Sequence, residues 1–374
     1  MEDSVAVTSQ RTRDLVARDL RAVWHPFTQH ATWPADDPLV IERAEGVHLW
    51  DTDGRRYLDG VSSLWVTVHG HREPAIDAAV RAQLDRLDHS TFLGLTHEPG
   101  VELAEELLRI APAGLTRVFF AGDGSSAAER AAEVVDELGG LLARERGRVC
   151  AVVVEPMVQA AGGILTHDAA FLRGVRALCD EHGAAMVADE VATGIGATGR
   201  WWAVEHAGVA PDLLVTGKRV TGGYLPLSAV LATEAVYEAF LGTPSSRRTF
   251  FHGHTYTANP LCCAAGVANL RLMHERSTVD RAAAVGERIG ALLAPLEECG
   301  GVAEVRRIGT MTGIEVRAVR ERTGFAVCRA ARDRGVIVRP LGDVVVLMPP
   351  LGIGDDDLAE LAGTVSDCVR GVVG

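Results

Sequence analysis

Residues 212–223 read DLLVTGKRVTGG and hold the only lysine in a chain of 374 residues. Of the 37 lysines and arginines, all the others are arginine. The two side chains exchange where a surface merely needs positive charge. They differ in chemistry, because a primary amine can lose its proton and attack a carbonyl and a guanidinium cannot. The residues before the lysine, PDLLVT (211–216), form a short apolar run, as a buried parallel strand should. A solvated lysine kept by chance is the plain alternative, and the surroundings of the strand decide between the two.

Outward from this strand, the middle of the chain alternates strand and helix patterns. RVFFA (117–121) precedes the helical pattern SAAERAAEVVDELGGLLA. RVCAVVVEP (148–156) precedes FLRGVRALCDEHG, and AAMVADE (184–190) leads back to the lysine strand. Strands alternating with helices imply an α/β fold: a mostly parallel central sheet wrapped by helices on both faces. Upstream, EPAIDAAVRAQLDRL and GVELAEELLRIA have helical apolar spacing, and VIERAEGVHLWDTDGRRYLDG reads as short strands with turns at Glu45-Gly46 and Asp53-Gly54. From about Ser277 the order becomes helix, strands, helix, strands, helix, the pattern of a smaller α+β unit. The expected division is 1–60 as an N-terminal segment joining the small domain, 61–276 as the large domain, and 277–374 as the small domain.

The bulk properties narrow the function. A formal charge of -13 disfavours nucleic acid or an anionic membrane as the main partner. No run of about 18 apolar residues suggests a membrane span. MEDSVAVTSQRTRDL lacks the apolar core of a secretory signal, so a cytoplasmic location is expected. Seven cysteines without a CxxC pair fit buried thiols in a reducing compartment. The His69/His71 and His252/His254 pairs have no convergent Cys, Asp or Glu spacing, and no metal site is assigned to them.

In sheets of this kind ligands bind beyond the carboxyl ends of the strands. The strand RVFFA runs into AGDGSSAAE, where Gly124, Ser125 and Ser126 open a helix; free N–H groups, hydroxyls and the positive helix end suit a phosphate. A plain helix cap reads the same way. Two further strands end in Glu155-Pro156 and Asp189-Glu190. Adjacent carboxylates at a buried edge need an ion-pair partner or a chemical task. A phosphate cradle, an acid and a lone lysine together describe the needs of pyridoxal 5′-phosphate: an anion site, a carboxylate that keeps the ring nitrogen protonated, and an amine that holds the aldehyde.

The segments MVADEVATGIGATG and PDLLVTGKRVTGG resemble the signature of class III aminotransferases, enzymes of pyridoxal-phosphate fold type I. Within that family the likeness is to the biotin-synthesis members. It is carried by WHPFTQ (24–29), GVSSLWVTVHGH (60–71), HSTFLGLTHEP (89–99), VEPMVQAAGG (154–163), TGGYLPLSAVLAT (221–233), FFHGHTYTANPL (250–261) and VIVRPLGDVVVLMPP (336–350). The resemblance implies transamination of 8-amino-7-oxononanoate to 7,8-diaminononanoate, with S-adenosylmethionine, or alternatively lysine, as amino donor. It implies Lys218 and Asp189 as catalytic residues. Gly124 and Ser125 would cradle the phosphate, and His254 with Thr255 would reach the cofactor of a neighbouring subunit in a homodimer. Phe27, Leu64, Trp65 and Gly253 correspond to the substrate pocket, and Arg339 to the residue that binds a substrate carboxylate, a task its bidentate guanidinium suits.

The chain departs from the family in one block. Between the phosphate-loop helix and the strand ending in VEP, the family normally has another strand and a loop whose tyrosine stacks on the cofactor ring. Here the chain passes from Ser125 to Glu155 with no aromatic residue, and the shortening falls at about 134–148. Ala197, in GIGATG, stands where arginine is frequent. These departures keep two other readings open: another class III ω-aminotransferase, or a non-catalytic homologue.

Overall fold

The computed structural model describes residues 8–26, 28–33, 37–121 and 131–374. Its central sheet contains β1 (Leu115–Ala121), β2 (Ala151–Val154), β3 (Ala185–Asp189), β4 (Leu213–Thr216) and β5 (Ser228–Thr233), in the spatial order β1-β5-β4-β3-β2. The pairs β2–β3 and β3–β4 are parallel, with Ala151 opposite Ala185 and Asp189 opposite Val215. The apolar runs read from the sequence are these strands. Strand β5 is the difference. It lies antiparallel between β1 and β4, with Ser228 opposite Ala121 and Ala229 opposite Thr216. Its sequence, SAVLAT, follows the lysine by so few residues that the chain must double back along the sheet.

The helices around this sheet include α1 (Ala131–Arg144), α2 (Ala169–His182) and α3 (Pro260–Glu275). Helix α2 shows local and global signals agreeing. Asp168 caps its first turn by accepting from the Phe171 N–H at 2.9 Å, and Gly183 ends it in the left-handed conformation at φ 68°. Its Leu172, Val175 and Cys179 are buried against Met186 of β3. Helix α3 starts at Asn259, whose side chain accepts from two backbone N–H groups, with Pro260 in the first turn.

Two large apolar cores separate along the sequence. One gathers Val68, Leu103, Leu214, Leu231, Leu270 and their neighbours around the central sheet. The other draws on Leu58 and on residues between Val285 and Val373, under a four-stranded antiparallel sheet of 302–308, 311–316, 344–347 and 339–341. The N-terminal strands 41–45, 48–51 and 56–59 join this second region through a parallel pair with 336–337. No helix among the described residues is long and apolar enough to cross a membrane.

Candidate active site

The strand directions bring the chemistry to one edge of the central sheet. The carboxyl ends of β1, β3 and β4 and the amino end of β5 meet there, and the Ser228 hydroxyl ties the start of β5 to the end of β1 by donating to the Ala121 carbonyl. Asp189 closes β3; Thr216 closes β4, and Gly217 passes the chain directly to Lys218. Lys218 itself has φ 40°, a left-handed conformation that a non-glycine residue holds only when its surroundings fix it. Those surroundings include Asn269 on α3, whose amide donates to the carbonyls of Arg219 and Val220 at 2.9 and 3.0 Å.

The lysine nitrogen lies 5.4 Å from the centroid of the Trp65 ring. Trp65 is buried, and it too sits in a strained segment: Ser62, Ser63 and Trp65 all have positive φ. Asp59, fully buried, holds this segment by accepting from the N–H groups of Val61 and Ser63 and from a ring nitrogen of His71. A cavity of about 410 Å³ borders the amine, lined by Val66, Val191, Gly217, Gly223, Tyr224, Leu225, Leu227 and Ser228. Gly223 matters to its shape. At φ 90°, a Cβ there would come within 3.0 Å of the Thr67 backbone. Gly223→Ala is expected to lower the unfolding free energy by about 2 kcal/mol in denaturant titration, and an unchanged midpoint would contradict this close approach.

Asp189 accepts from the Val191 N–H at 3.1 Å and has no ion-pair partner among the described residues. Its remaining acceptor capacity suits a donor brought by a ligand. The carboxylate also faces a second, larger cleft of about 850 Å³ over one side of the sheet, bordered by Phe119, Val153, Leu213, Val215, Val230 and Phe250. Glu190, its neighbour, points the other way. It is fully buried and accepts from the Thr193 hydroxyl at 2.6 Å and from the N–H groups of Ala203 and Val204 at 3.0 and 2.9 Å. The Asp189-Glu190 pair is thus not a salt-bridged pair among the described residues: one acid faces the site, the other binds the protein's own backbone.

Of the residues expected from sequence, Lys218 and Trp65 are in contact, and Asp189 stands on the strand next to the lysine strand. Arg339 starts a strand paired to Val346, a residue of the apolar cluster that holds Trp65, and it has no hydrogen-bond or ion-pair partner among the described residues. Leu64, Gly253, His254 and Thr255 are exposed and line neither cavity. Gly124, Ser125 and Phe27 lie outside the described residues. The cavity residues Val191, Tyr224 and Ser228 were not singled out from sequence. Their contribution depends on β5 doubling back beside the lysine, which no local pattern announces.

The class III aminotransferase family description matches residues 31–140 and 131–369. The chain belongs to the class III aminotransferases. It is 44% identical to the adenosylmethionine-8-amino-7-oxononanoate aminotransferase of Nitratidesulfovibrio vulgaris, over 97% of this chain and 83% of that protein. It is 35% identical to the enzyme of the same name from Geobacter sulfurreducens, over 97% and 99%. Among solved structures, the adenosylmethionine-8-amino-7-oxononanoate aminotransferase of Methanocaldococcus jannaschii superposes with a TM-score of 0.91 at 28% identity, covering 96% of this chain and 99% of that one. The aminotransferase also differs from these relatives. Its two family matches meet within α1, and the alignment with the Nitratidesulfovibrio protein runs over 449 positions although this chain has 374 residues. The relative's extra stretch has no counterpart here. The two matches meet where the chain is shortened, at about 134–148. Immediately after it, β2 forms the edge of the sheet among the described residues, and Val153 is 66% exposed.

Proposed function

We propose that this aminotransferase uses pyridoxal 5′-phosphate to convert 8-amino-7-oxononanoate to 7,8-diaminononanoate, taking the amino group from S-adenosylmethionine. The observation that carries the reading is the meeting of the single lysine and the uncommitted Asp189 carboxylate at the ends of adjacent strands. The names of the relatives support the substrate pair.

The residues present fit the cofactor. Asp189 has acceptor capacity to spare, a cavity opens beside the Lys218 amine, and the buried indole N–H of Trp65 has no acceptor among the described residues. Bound pyridoxal phosphate supplies an aldehyde that holds the amino group and a ring that draws electrons from the carbon losing its proton. Asp189 favours the protonated ring nitrogen by charge and hydrogen bonding. The Lys218 amine removes the proton from the donor's α-carbon and later delivers one to C7 of the acceptor. Trp65 walls the amine, and Arg339 offers its guanidinium to the acceptor's carboxylate. Gly124 and Ser125 are assigned to the phosphate and Phe27 and Leu64 to the substrate pocket, by resemblance.

A cytoplasmic homodimer belongs to the same reading. His254 and Thr255 project from an exposed segment beside Phe251 and Tyr256, which are 87% and 63% exposed. Such apolar exposure, together with exposed Leu93 and Leu95, fits a surface covered by a second copy that receives these residues at its cofactor. The division into a 61–276 cofactor domain and a 277–374 small domain, joined by 1–60, accords with the two apolar cores.

The test is product formation. Purified protein supplied with pyridoxal phosphate and 8-amino-7-oxononanoate should form diaminononanoate with S-adenosylmethionine and not with lysine. Product with lysine alone would reassign the donor. Cofactor uptake with turnover only of other amines would make the chain a different ω-aminotransferase, and absence of both would favour the non-catalytic homologue that the missing block suggests.

A further inference from the structure

Arg219, the residue after the lysine, is 2% exposed and has no carboxylate within ion-pair distance among the described residues. One guanidinium nitrogen donates to the Ala192 carbonyl at 2.8 Å, and Nε is buried without a hydrogen-bond partner among the described residues. Burial without a counter-charge pulls this guanidinium's proton affinity down to about 10. A charge taken out of water against a single neutral acceptor is costly, and an apolar side chain of similar volume would stabilise the fold as well or better. Packing alone therefore does not account for an arginine here.

Its position suggests what does. Ala192 lies three residues beyond Asp189, on the loop that leaves β3, and belongs to the apolar cluster that contains Trp65. Arg219 belongs to the turn Lys218–Thr221, whose first residue is the strained lysine. The guanidinium thus spans from the turn carrying the amine to the loop that follows the acid. On the other side of that loop, Glu190 fastens it to Ala203 and Val204. The backbone N–H of Glu190 donates to Val215 at 2.8 Å, but that bond fixes the strand ends and not the loop beyond them.

We propose that Arg219 is a positioning residue, which locks the lysine turn to the Asp189 loop and so sets the spacing between amine and carboxylate. The proposal rests on reading these two groups as the cofactor-facing pair. A loosened clamp displaces reacting groups by a fraction of a bond length or more, and a misplacement near 1 Å costs about 100-fold in rate.

The decisive comparison is Arg219→Met, with Arg219→Gln in reserve should the methionine variant aggregate, and Arg219→Lys as the conservative control. Arg219→Met is expected to melt at the wild-type temperature or above, to lose about 10- to 100-fold in kcat, and to keep KM for the amino acceptor within about threefold. Arg219→Lys should recover at least a tenth of the wild-type kcat. In the cofactor-free proteins, hydrogen exchange at amides 190–194 should be faster in Arg219→Met than in the wild type. Wild-type kcat in Arg219→Met, or a kcat loss that merely tracks a lower melting temperature, overturns the proposal. If the wild type itself neither takes up cofactor nor turns over, the reading of the site has failed, and the exchange rates still decide the clamp: equal rates at 190–194 refute it.

Discussion

Lys218→Ala is expected to lower transamination by roughly 10⁴-fold, the upper range for loss of a positioned acid–base group. It should also remove the visible absorbance that bound pyridoxal phosphate gives the wild type. No second amine can substitute, because every other long basic side chain in the protein is arginine. The fold should survive. The amine borders a cavity and does not fill a packed core, and alanine at φ 40° carries the same backbone strain as lysine. Near-wild-type turnover by Lys218→Ala, with an unchanged melting temperature, would end the assignment of this residue. A drop in activity accompanied by unfolding would be uninformative, which is why Lys218→Arg, close in length and charge, is measured in parallel. It should be as inactive as alanine, since a guanidinium does not give up its proton at neutral pH.

The second large effect falls on stability. Glu190→Ala leaves the Thr193 hydroxyl and the N–H groups of Ala203 and Val204 buried without an acceptor, and is expected to cost about 3–5 kcal/mol in denaturant unfolding. Burial pushes the Glu190 carboxyl up to about 7, against the downward pull of its three hydrogen bonds. The sign of the pH effect follows. A carboxyl whose folded value exceeds its unfolded value of 4.5 binds more protons in the folded state, so its contribution is fully present below about pH 4.5. That contribution is lost as pH rises to about 7 and is constant above. Glu190→Gln should therefore flatten the fall in stability between pH 4.5 and 7. The same slope in Glu190→Gln as in the wild type would show that another group titrates in that window.

The two acids of the Asp189-Glu190 pair show how far a linear reading carries. The sequence marks both as carboxylates at a buried strand end, and strand alternation sends consecutive side chains to opposite sides. Which one faces the site depends on what packs on each side. The backbone N–H groups at 203–204 take Glu190, and no protein cation claims Asp189 among the described residues. The missing block was equally visible in the sequence, as a short aromatic-free passage from Ser125 to Glu155. What lies beside it was not: among the described residues β2 is an edge of the sheet with an exposed Val153, and an apolar cleft borders Asp189.

By itself, the sequence determined the alternation of apolar strands and amphipathic helices and the single amine, because each is set within a few residues by burial, periodicity or side-chain chemistry. Tertiary structure alone decided that SAVLAT returns antiparallel between β1 and β4, that Trp65 covers the amine, and that Arg219 reaches Ala192. Those contacts join segments distant along the chain, and which of many apolar strands becomes a neighbour is fixed only when the whole sheet closes over one shared core.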